Sequence, residues 1–439
     1  MTGTLARETF ATSRAAEFFE LRALQAQTGQ PAHRFADVLV KELVDNALDA
    51  AETAGVQPDI SLDVVKATGL LSITVADNGP GMPPKLVEQV LDFSVLVSDK
   101  AAYRSPTRGL QGNALKTVVG IPHALGSTRP VVIEACGVRH SIAAAVDPAG
   151  ELLVDHRRAG SDRRAGTAVT VTVPGDGYPP PDARRWVRRF ALVNPHAAVS
   201  YLAHGSDPAD AISYKPTAPD GWRKPLPTDP TSPHWYDGPA LARLVFAHVG
   251  KIRKGGRDLP LGEFVRSFAG LASTAKAKTV CAVLPGITHL SGFEADPAAV
   301  DILLTTMQAA SRAPKPAALG RVEDDHYRAR FADWYGVKRF WCKRLTTMDG
   351  SVPWVLEVAV AETDQPGDLF YAVNYSPTFD DPLARLPMSC GELRATGAAS
   401  LLRQAGAYPD GDSLRAAAVH LISPAAQFLD KGKSTLAVG

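Results

Sequence analysis

The sequence predicts an α+β protein with several domains in one chain. Its 439 residues correspond to about three domains at roughly 150 residues each. Helical and strand patterns alternate up to about residue 205, helical patterns dominate residues 235–325, and strand patterns return over 326–439. Hydrophobic residues make up 45% of the chain and charged residues 21%, a composition that is typical of globular proteins.

The charge balance, the cysteines and the hydropathy exclude several classes of protein. With 47 Lys and Arg against 46 Asp and Glu, the chain is not a polycation, so contact with nucleic acid would require local basic patches. The four cysteines lack metal-ligand spacing and are too few for a disulfide scaffold, which favours a reducing compartment. The uncharged run 279–293 has 15 residues and the longest one, 190–206, has 17, whereas a membrane-spanning helix needs about 20. The N-terminus lacks the apolar core of a signal peptide, so we expect a soluble, cytoplasmic protein.

Alternation of apolar and polar residues predicts strands along the chain, and turn-forming residues separate them. The clearest strands of the first block are Leu70–Ala76, Val131–Glu134 and Ala168–Val173. Residues 206–234 are rich in Pro, Asp, Ser and Thr and are predicted to be a linker or long loop. The strands of the last block are Val355–Val360, Leu369–Val373 and Val419–Ile422.

The first long helix is predicted over Phe35–Ala54 (FADVLVKELVDNALDAAETA). Leu, Val and Ala recur every three or four residues, which predicts one buried face. The other face stacks polar residues at the same spacing, namely Glu42, Asp45, Asn46 and Asp49. Stacked carboxylates repel one another unless a cation lies over them. This face is therefore either a solvated acidic surface or part of a binding site.

Two glycine-rich turns and a Gly-Thr pair follow that helix. The strand Leu70–Ala76 runs into DNGPGM (77–82), where two glycines after a carboxylate let the backbone approach a ligand closely. Residues 108–116 (RGLQGNALK) join a glycine loop to the start of a helix, whose free backbone N–H groups suit phosphate. Gly166 and Thr167 open the strand Ala168–Val173. Each of these segments alone is also typical of an ordinary turn or strand start.

In this order and spacing, the four motifs together resemble the GHKL (Bergerat-fold) superfamily of ATP-binding proteins. Its members include DNA gyrase B, the heat-shock chaperone of the same class, histidine kinases and MutL. The matching segments are ELVDNALDA, DNGPGM, GLQGNALK and GTAVTVTVP. The resemblance implies a GHKL ATP-binding α/β sandwich with ATP and Mg²⁺ as cofactors. The third motif carries Ala114 where many members have its last glycine, as MutL-type proteins also do.

The resemblance also assigns roles to individual residues. Glu42 would be the general base that activates water on the γ-phosphate, and Asn46 would coordinate Mg²⁺. Asp77 would accept a hydrogen bond from the adenine amino group, with Thr167 in support. The other positions implied to bind the nucleotide are Asp49, Gly79, Gly81, Met82, Ser98, Lys100, Gly109, Leu110, Gln111, Gly112, Asn113, Ala114, Leu115 and Lys116.

Much of the remaining chain resembles the B subunit of DNA topoisomerase VI. The segments that carry this likeness are Tyr103–Gly109, Asn194-Pro195-His196, Leu259–Val283, Pro353–Leu383 and Phe428–Ala437. The likeness implies an N-terminal dimerisation segment (1–34), an ATP-binding domain (35–205) and a linker or loop (206–234). A helix–two-turn–helix-like helical domain (235–325) and a transducer-like α/β domain (326–439) would follow. In the last domain Lys433, with Lys431 as the rival residue, would match a lysine that reaches the γ-phosphate and stabilises the charge that develops there.

The same likeness implies an ATP-dependent homodimer that closes as a clamp on duplex DNA. No DNA-cleaving tyrosine domain is recognisable, so strand breakage would need a separate cleavage subunit resembling the topoisomerase VI A subunit or its meiotic relative. In that family a long helical stalk follows the switch lysine, whereas this sequence runs only to Gly439. An alternative therefore stays open, a stand-alone ATP-gated DNA-binding or interaction module of the MutL kind, acting in repair or defence. No membrane partner is expected.

Two basic clusters are candidate contacts for DNA. The first comprises Arg184, Arg185, Arg188 and Arg189, which repeat at helical spacing. The second, KIRKGGR at 251–257, places its cations next to two glycines. A face like the first is also typical of a solvated surface, so the second cluster is the better candidate for DNA. Salt-dependent DNA binding that is lost on neutralising the second cluster would favour the DNA interpretation.

Overall fold

The computed structural model describes residues 17–93, 103–108, 114–147, 151–205, 207–253, 255–390, 393–409, 413–426, 428 and 436. They form two compact units. As far as its residues are described, the first unit draws on 1–97, 113–187 and 199–213, and the second on 98–112, 188–198 and 214–439. Helices and mixed sheets occur together, which confirms the predicted α+β class.

An eight-stranded sheet is the centre of the first unit, in the order β5-β4-β3-β6-β2-β1-β7-β8. Its strands are β1 (Asp59–Ala67), β2 (Leu70–Ala76), β3 (Val131–Ala135), β4 (Val138–Val146), β5 (Leu152–Gly160), β6 (Thr167–Pro174), β7 (Ala198–Tyr201) and β8 (Ile212–Tyr214). The pairs from β5 through to β1 are antiparallel. In β2 the alternate residues Leu71, Ile73 and Val75 are buried, so one face of the sheet is apolar.

Helices cover that sheet and hold the predicted acidic segment against it. They are α1 (Leu21–Thr28), α2 (Phe35–Thr53), α3 (Pro84–Val90) and α4 (Ala114–Ala124), and α5 (Ala183–Val193) contributes residues to both units. The helices α2 and α4 pack against each other and against the sheet. A Cβ atom on Gly120 of α4 would lie 1.8 Å from the carbonyl oxygen of Phe18. Only glycine therefore allows α4 to approach the N-terminal segment this closely.

Helices dominate the first part of the second unit. They are α6 (Gly238–Ile252), α7 (Leu261–Arg266), α8 (Thr274–Cys281), α9 (Ala299–Ala309) and α10 (Asp324–Tyr335). The helix α6 begins where the carboxylate of Asp237 accepts a hydrogen bond from the N–H of Ala240 at 2.7 Å, an N-cap that satisfies a free donor of the first turn. The pairs α6 with α9 and α7 with α8 are in contact.

A five-stranded sheet completes the second unit, in the order β12-β11-β15-β10-β9. The elements are β9 (Arg339–Asp349), β10 (Val352–Glu362), β11 (Leu369–Val373), β12 (Ser376–Pro377), the hairpin β13 (Pro387–Cys390) and β14 (Leu393–Thr396), α11 (Ala398–Gln404) and β15 (Arg415–Ile422). One face of this sheet packs on a core that includes Val373, Leu402, Val419 and Leu421. The helix α10 lies against β10.

The described elements confirm the strands predicted from alternation, and they add elements elsewhere. Leu70–Ala76 coincides with β2, and Leu369–Val373 with β11. The helix α10 opens the block for which strands were expected, because Tyr327, Phe331 and Trp334 recur at helical spacing and are buried. The short strand β8 lies within the segment expected to be a loop. None of the helices in the described part of the chain is long and apolar enough to cross a membrane.

Candidate active site

The polar face of α2 is buried rather than solvated. Glu42, Asp45 and Asp49 are 8%, 3% and 8% exposed, whereas Asn46 is exposed. The solvated acidic surface, one of the two interpretations of this segment, is therefore wrong for its three carboxylates. Asn46 follows Glu42 by one helical turn, so its amide projects from the same face. The helix thus carries one accessible oxygen donor beside a buried carboxylate.

A lysine that sequence reasoning passed over neutralises this face. Lys41 is fully buried, and its Nζ lies 3.3 Å from Oε1 of Glu42 and 3.1 Å from Oδ2 of Asp45. Burial alone lowers the pKa of the Lys41 ammonium, but Asp45 and Glu42 outweigh burial and leave the pKa above its ordinary value. Lys41 is therefore charged at neutral pH. The spacing of Lys41 and Asp45, four residues apart, was the available signal in the sequence.

The carboxylate at the end of β2 is fixed by backbone amides. Oδ1 of Asp77 accepts hydrogen bonds from the N–H of Gly79 at 2.8 Å and of Thr167 at 3.1 Å. Burial raises the pKa of Asp77, while those two amides and the Arg163 guanidinium oppose the rise. Oδ2 receives no hydrogen bond from the described residues, so it can accept one from a ligand.

The DNGPG turn brings three of the four motifs together. The N–H of Gly166 donates to the carbonyl of Gly79 at 2.9 Å, which joins the second motif to the fourth. A Cβ atom on Gly79 would lie 3.2 Å from the backbone nitrogen of Ala51, so the turn lies against the end of α2. Gly166 has φ +68°, and a Cβ atom there would lie 1.9 Å from the carbonyl oxygen of Asp77. This glycine is therefore required for the contact between the motifs.

The start of α4 carries the described part of the third motif. Ala114 and Leu115 are half-buried. Nζ of Lys116 donates to the carbonyl of Asp92 at 2.5 Å and lies 5.7 Å from the centre of the Phe93 ring. Burial lowers the pKa of Lys116, and Asp92 opposes that change. Lys116 thus ties α4 to the chain after α3, and its contact with a nucleotide stays a prediction.

The remaining candidates divide into described and undescribed residues. Met82 is half-buried, and Gly81 has φ +83°, a conformation that favours glycine. The candidates that lie outside the described residues are Ser98, Lys100, Gly109, Leu110, Gln111, Gly112, Asn113 and both switch-lysine candidates, Lys433 and Lys431. Their roles stay predictions.

The arginines of α5 are not a free basic face. Arg184 pairs with Asp210 at 3.2 Å. The guanidinium of Arg188 lies over the rings of Trp334 and Tyr335, at 5.6 and 5.7 Å from their centres, and Arg189 is only 8% exposed. These side chains support the fold, so neither the DNA interpretation nor the solvated one applies to Arg188 and Arg189.

The second basic cluster is partly neutralised by carboxylates. Arg253 forms an ion pair with Glu294, and Arg257 contacts both carboxylate oxygens of Glu263, at 3.2 and 2.7 Å. Lys251 is exposed, and Lys254 lies outside the described residues. Exposed ion pairs of this kind contribute only about 0–1 kcal/mol, so phosphate groups could displace the carboxylates.

Comparison with known proteins identifies the domain that holds this site. Residues 33–177 match the family described as histidine kinase-, DNA gyrase B-, and HSP90-like ATPase. Residues 33–177 form a GHKL ATPase domain. The match contains the described carboxylates of the site and the glycines that join the motifs, so the resemblance inferred from the four motifs is confirmed.

The chain is also similar to B subunits of a DNA topoisomerase. The chain is 33% identical over 168 residues to the B subunit of type 2 DNA topoisomerase 6 from Natronomonas pharaonis, covering 37% of this chain and 21% of that protein. It is 28% identical over 243 residues to the protein of the same name from Saccharolobus islandicus, covering 53% of this chain and 44% of that protein. The matches thus span less than half the length of these two relatives.

A solved structure also aligns with the chain, at low similarity. It is the 43K ATPase domain of Thermus thermophilus gyrase B in complex with an aminocoumarin, with a TM-score of 0.33 and 16% identity. The alignment covers 91% of this chain and 78% of that one.

Proposed function

We propose that the chain binds and hydrolyses Mg-ATP, and that bound ATP drives it to dimerise as a clamp on duplex DNA. The observation that carries the ATPase part is the junction of three motifs in one unit, where Gly166 bonds to Gly79 and Gly79 lies against α2. This junction supports the proposal that Asp77 serves adenine and Glu42 serves the attacking water, because both carboxylates lie on one GHKL domain.

In this proposal Asp77 recognises the base. A carboxylate accepts hydrogen bonds only, so it favours the amino group of adenine over the carbonyl that guanine presents at the same position. The amides of Gly79 and Thr167 hold Oδ1, which leaves Oδ2 oriented for the ligand. Partial burial excludes water that would compete for that hydrogen bond.

Glu42 and Asn46 serve the phosphate end of the nucleotide. Glu42 acts as the general base that takes a proton from the attacking water, and Lys41 holds its carboxylate in place. The exposed amide oxygen of Asn46 is a hard donor that suits Mg²⁺. The ion would neutralise phosphate charge when bound, and the site residues would orient the water and the phosphates.

The proposals of a clamp, of DNA binding and of a cleavage partner rest on the relatives' names and on the resemblance of the chain to those relatives. The matches span 21% and 44% of the two relatives, so each of these statements is a proposal about this chain. A cytoplasmic location would suit such a role. The second candidate function is an ATP-gated binding module that acts without strand passage. It is favoured by the short span of the matches, which cover less than half of each relative.

The first experiment measures solution mass by light scattering with a non-hydrolysable ATP analogue, with ADP and without nucleotide. We expect twice the monomer mass of 46.6 kDa with the analogue only, since the proposed clamp closes on ATP. Relaxation of supercoiled DNA with a cleavage subunit then distinguishes the topoisomerase from the binding module. A mass that does not respond to nucleotide would contradict the clamp.

Asp77→Asn should weaken ATP binding and remove the preference for ATP over GTP. The loss of a hydrogen bond to a charged group, about 1.5–3 kcal/mol, corresponds to roughly 10–100-fold in affinity. Calorimetric titration with non-hydrolysable analogues of both nucleotides measures the change. Asp155→Asn is the control, because Asp155 is an exposed carboxylate that pairs with Arg157 on β5. Unchanged ATP affinity in Asp77→Asn would mean that adenine is recognised by another residue.

A further inference from the structure

The outer edge of the second unit's sheet is long and carries exposed apolar side chains between charged ones. The strand β9 has 11 residues and ends the strand order of its sheet, so none of the described strands pairs with its outer side. Trp341 is 50% exposed, Leu345 36% and Met348 42%. Proteins normally protect such edges with short strands, proline or charged side chains, because unpaired N–H and C=O groups recruit another strand. On β9 Lys343 is the one lysine of this kind.

The apolar side chains of β9 continue a stripe on the neighbouring strand. Trp341 lies opposite Val360 of β10, and Leu345 lies opposite Leu356. Directly opposed residues of an antiparallel pair point to the same face. On that face Trp354, Leu356, Val358 and Val360 are only partly buried against the core. The edge and the stripe together have the features of an interaction surface.

The two terminal charges of β9 lie symmetrically about its centre. Arg339 and Asp349 each lie five residues from Arg344. If two copies of β9 pair antiparallel about Arg344, Arg339 of each copy opposes Asp349 of the other, and Trp341 opposes Thr347. Opposite charges directly across a strand pair stabilise it. Asp349 has no ion pair with any described residue, and the contact of Arg339 with Glu362 is a loose one of 3.8 Å.

Near the centre of this arrangement Lys343 of each copy lies opposite Leu345 of the other, so the two ammonium groups are diagonal neighbours that weaken the pairing. Arg344 would meet its own copy at the two-fold axis, but its guanidinium forms an ion pair with the buried Glu357 of its own chain. Each copy therefore presents a neutralised pair at the axis. A two-fold axis here also aligns like faces, so the apolar stripe of one copy continues into that of the other.

We propose that β9 is a second self-association surface, at which two copies of this chain pair edge to edge and join their five-stranded sheets. This contact is independent of the nucleotide-driven clamp. It buries less area than a standard protein interface, so we expect a dissociation constant on the order of 10 µM. The occupant is a second copy because the terminal charges of β9, Arg339 and Asp349, complement each other across the two-fold axis.

Sedimentation analysis of the full chain without nucleotide, over a concentration series through that range, tests the proposal. We expect concentration-dependent dimers. Arg339→Asp should weaken them about tenfold at low salt, because two attractive pairs become repulsive. Adding Asp349→Arg to that variant restores both pairs and should restore the dimer. Both positions are exposed, so circular dichroism and the melting temperature should match those of the unaltered chain.

A covalent test fixes the register. The double variant Arg339→Cys with Asp349→Cys should form a disulfide-linked dimer under mild oxidation, since the two positions are opposed across the axis and too far apart within one strand to bridge. Arg339→Cys alone, with the native cysteines unchanged, should not. A chain that stays monomeric without nucleotide at every concentration would overturn the proposal, as would dimers that ignore the charge reversal. Failure of the ATP clamp would leave both results unaffected.

Discussion

Glu42→Gln should abolish ATP turnover and leave ATP binding intact. Glutamine keeps the size and the hydrogen-bonding oxygen of the side chain but cannot take the proton of the attacking water at neutral pH. General-base catalysis contributes about 10²–10⁴-fold to a rate, so phosphate release should fall by that factor. Affinity for a non-hydrolysable ATP analogue should change by less than about threefold, because the proposed adenine contact at Asp77 is left unaltered.

Two further measurements make this test specific. ATP itself, rather than its analogue, should now hold the Glu42→Gln variant as a dimer in light scattering, since the nucleotide is no longer consumed. Glu52→Gln is the matched control, because Glu52 is a carboxylate of the same helix, 4% exposed, and lies nearly three turns beyond Glu42. Turnover at the unaltered rate in Glu42→Gln would assign the general base to another residue.

The acidic helix α2 shows which features of the site could be predicted from the sequence and which could not. Apolar spacing predicted α2 to within a residue at its end, and the motif order identified the ATPase domain. Neither observation could decide whether the acidic face was solvated. That depended on Lys41, whose ammonium is buried between two carboxylates. The spacing of Lys41 and Asp45 indicated a pair on one helix face, but charge counts treat lysine as a surface residue, so the burial of that pair came only from three-dimensional packing.

The basic cluster of α5 was misread for a similar reason. Helical spacing placed the arginines of α5 on one face, yet Arg188 stacks on aromatic rings and Arg189 is buried. Their ring and backbone partners lie more than 100 residues away in the sequence, where no local pattern could predict them. The position of β9 at the edge of its sheet was not predicted either, because alternation of apolar and polar residues does not indicate which strand ends a sheet.

Lys41→Met should be the most destabilising single change at the site. It leaves Glu42 and Asp45 buried beside each other without the ammonium that both contact. Removing one partner of a buried ion pair costs about 3–5 kcal/mol, which lowers the melting temperature by roughly 10 °C for a domain of this size. Thermal unfolding measures the loss. Lys66→Met, the same change at an exposed position of β1, should shift unfolding by less than about 0.5 kcal/mol.

The direction of the pKa shift determines how this stability depends on pH. Because the folded-state pKa of Lys41 is raised, its contribution is fully present below the unfolded-state pKa and is lost only as pH rises through the folded-state value, in strongly alkaline solution. The difference between Lys41→Met and the unaltered chain should therefore stay constant from about pH 6 to pH 9. Adding Asp45→Asn to Lys41→Met removes one of the two negative charges that repel each other, so it should recover part of the stability. A double variant no more stable than Lys41→Met would mean that Lys41 acts through packing of its alkyl chain.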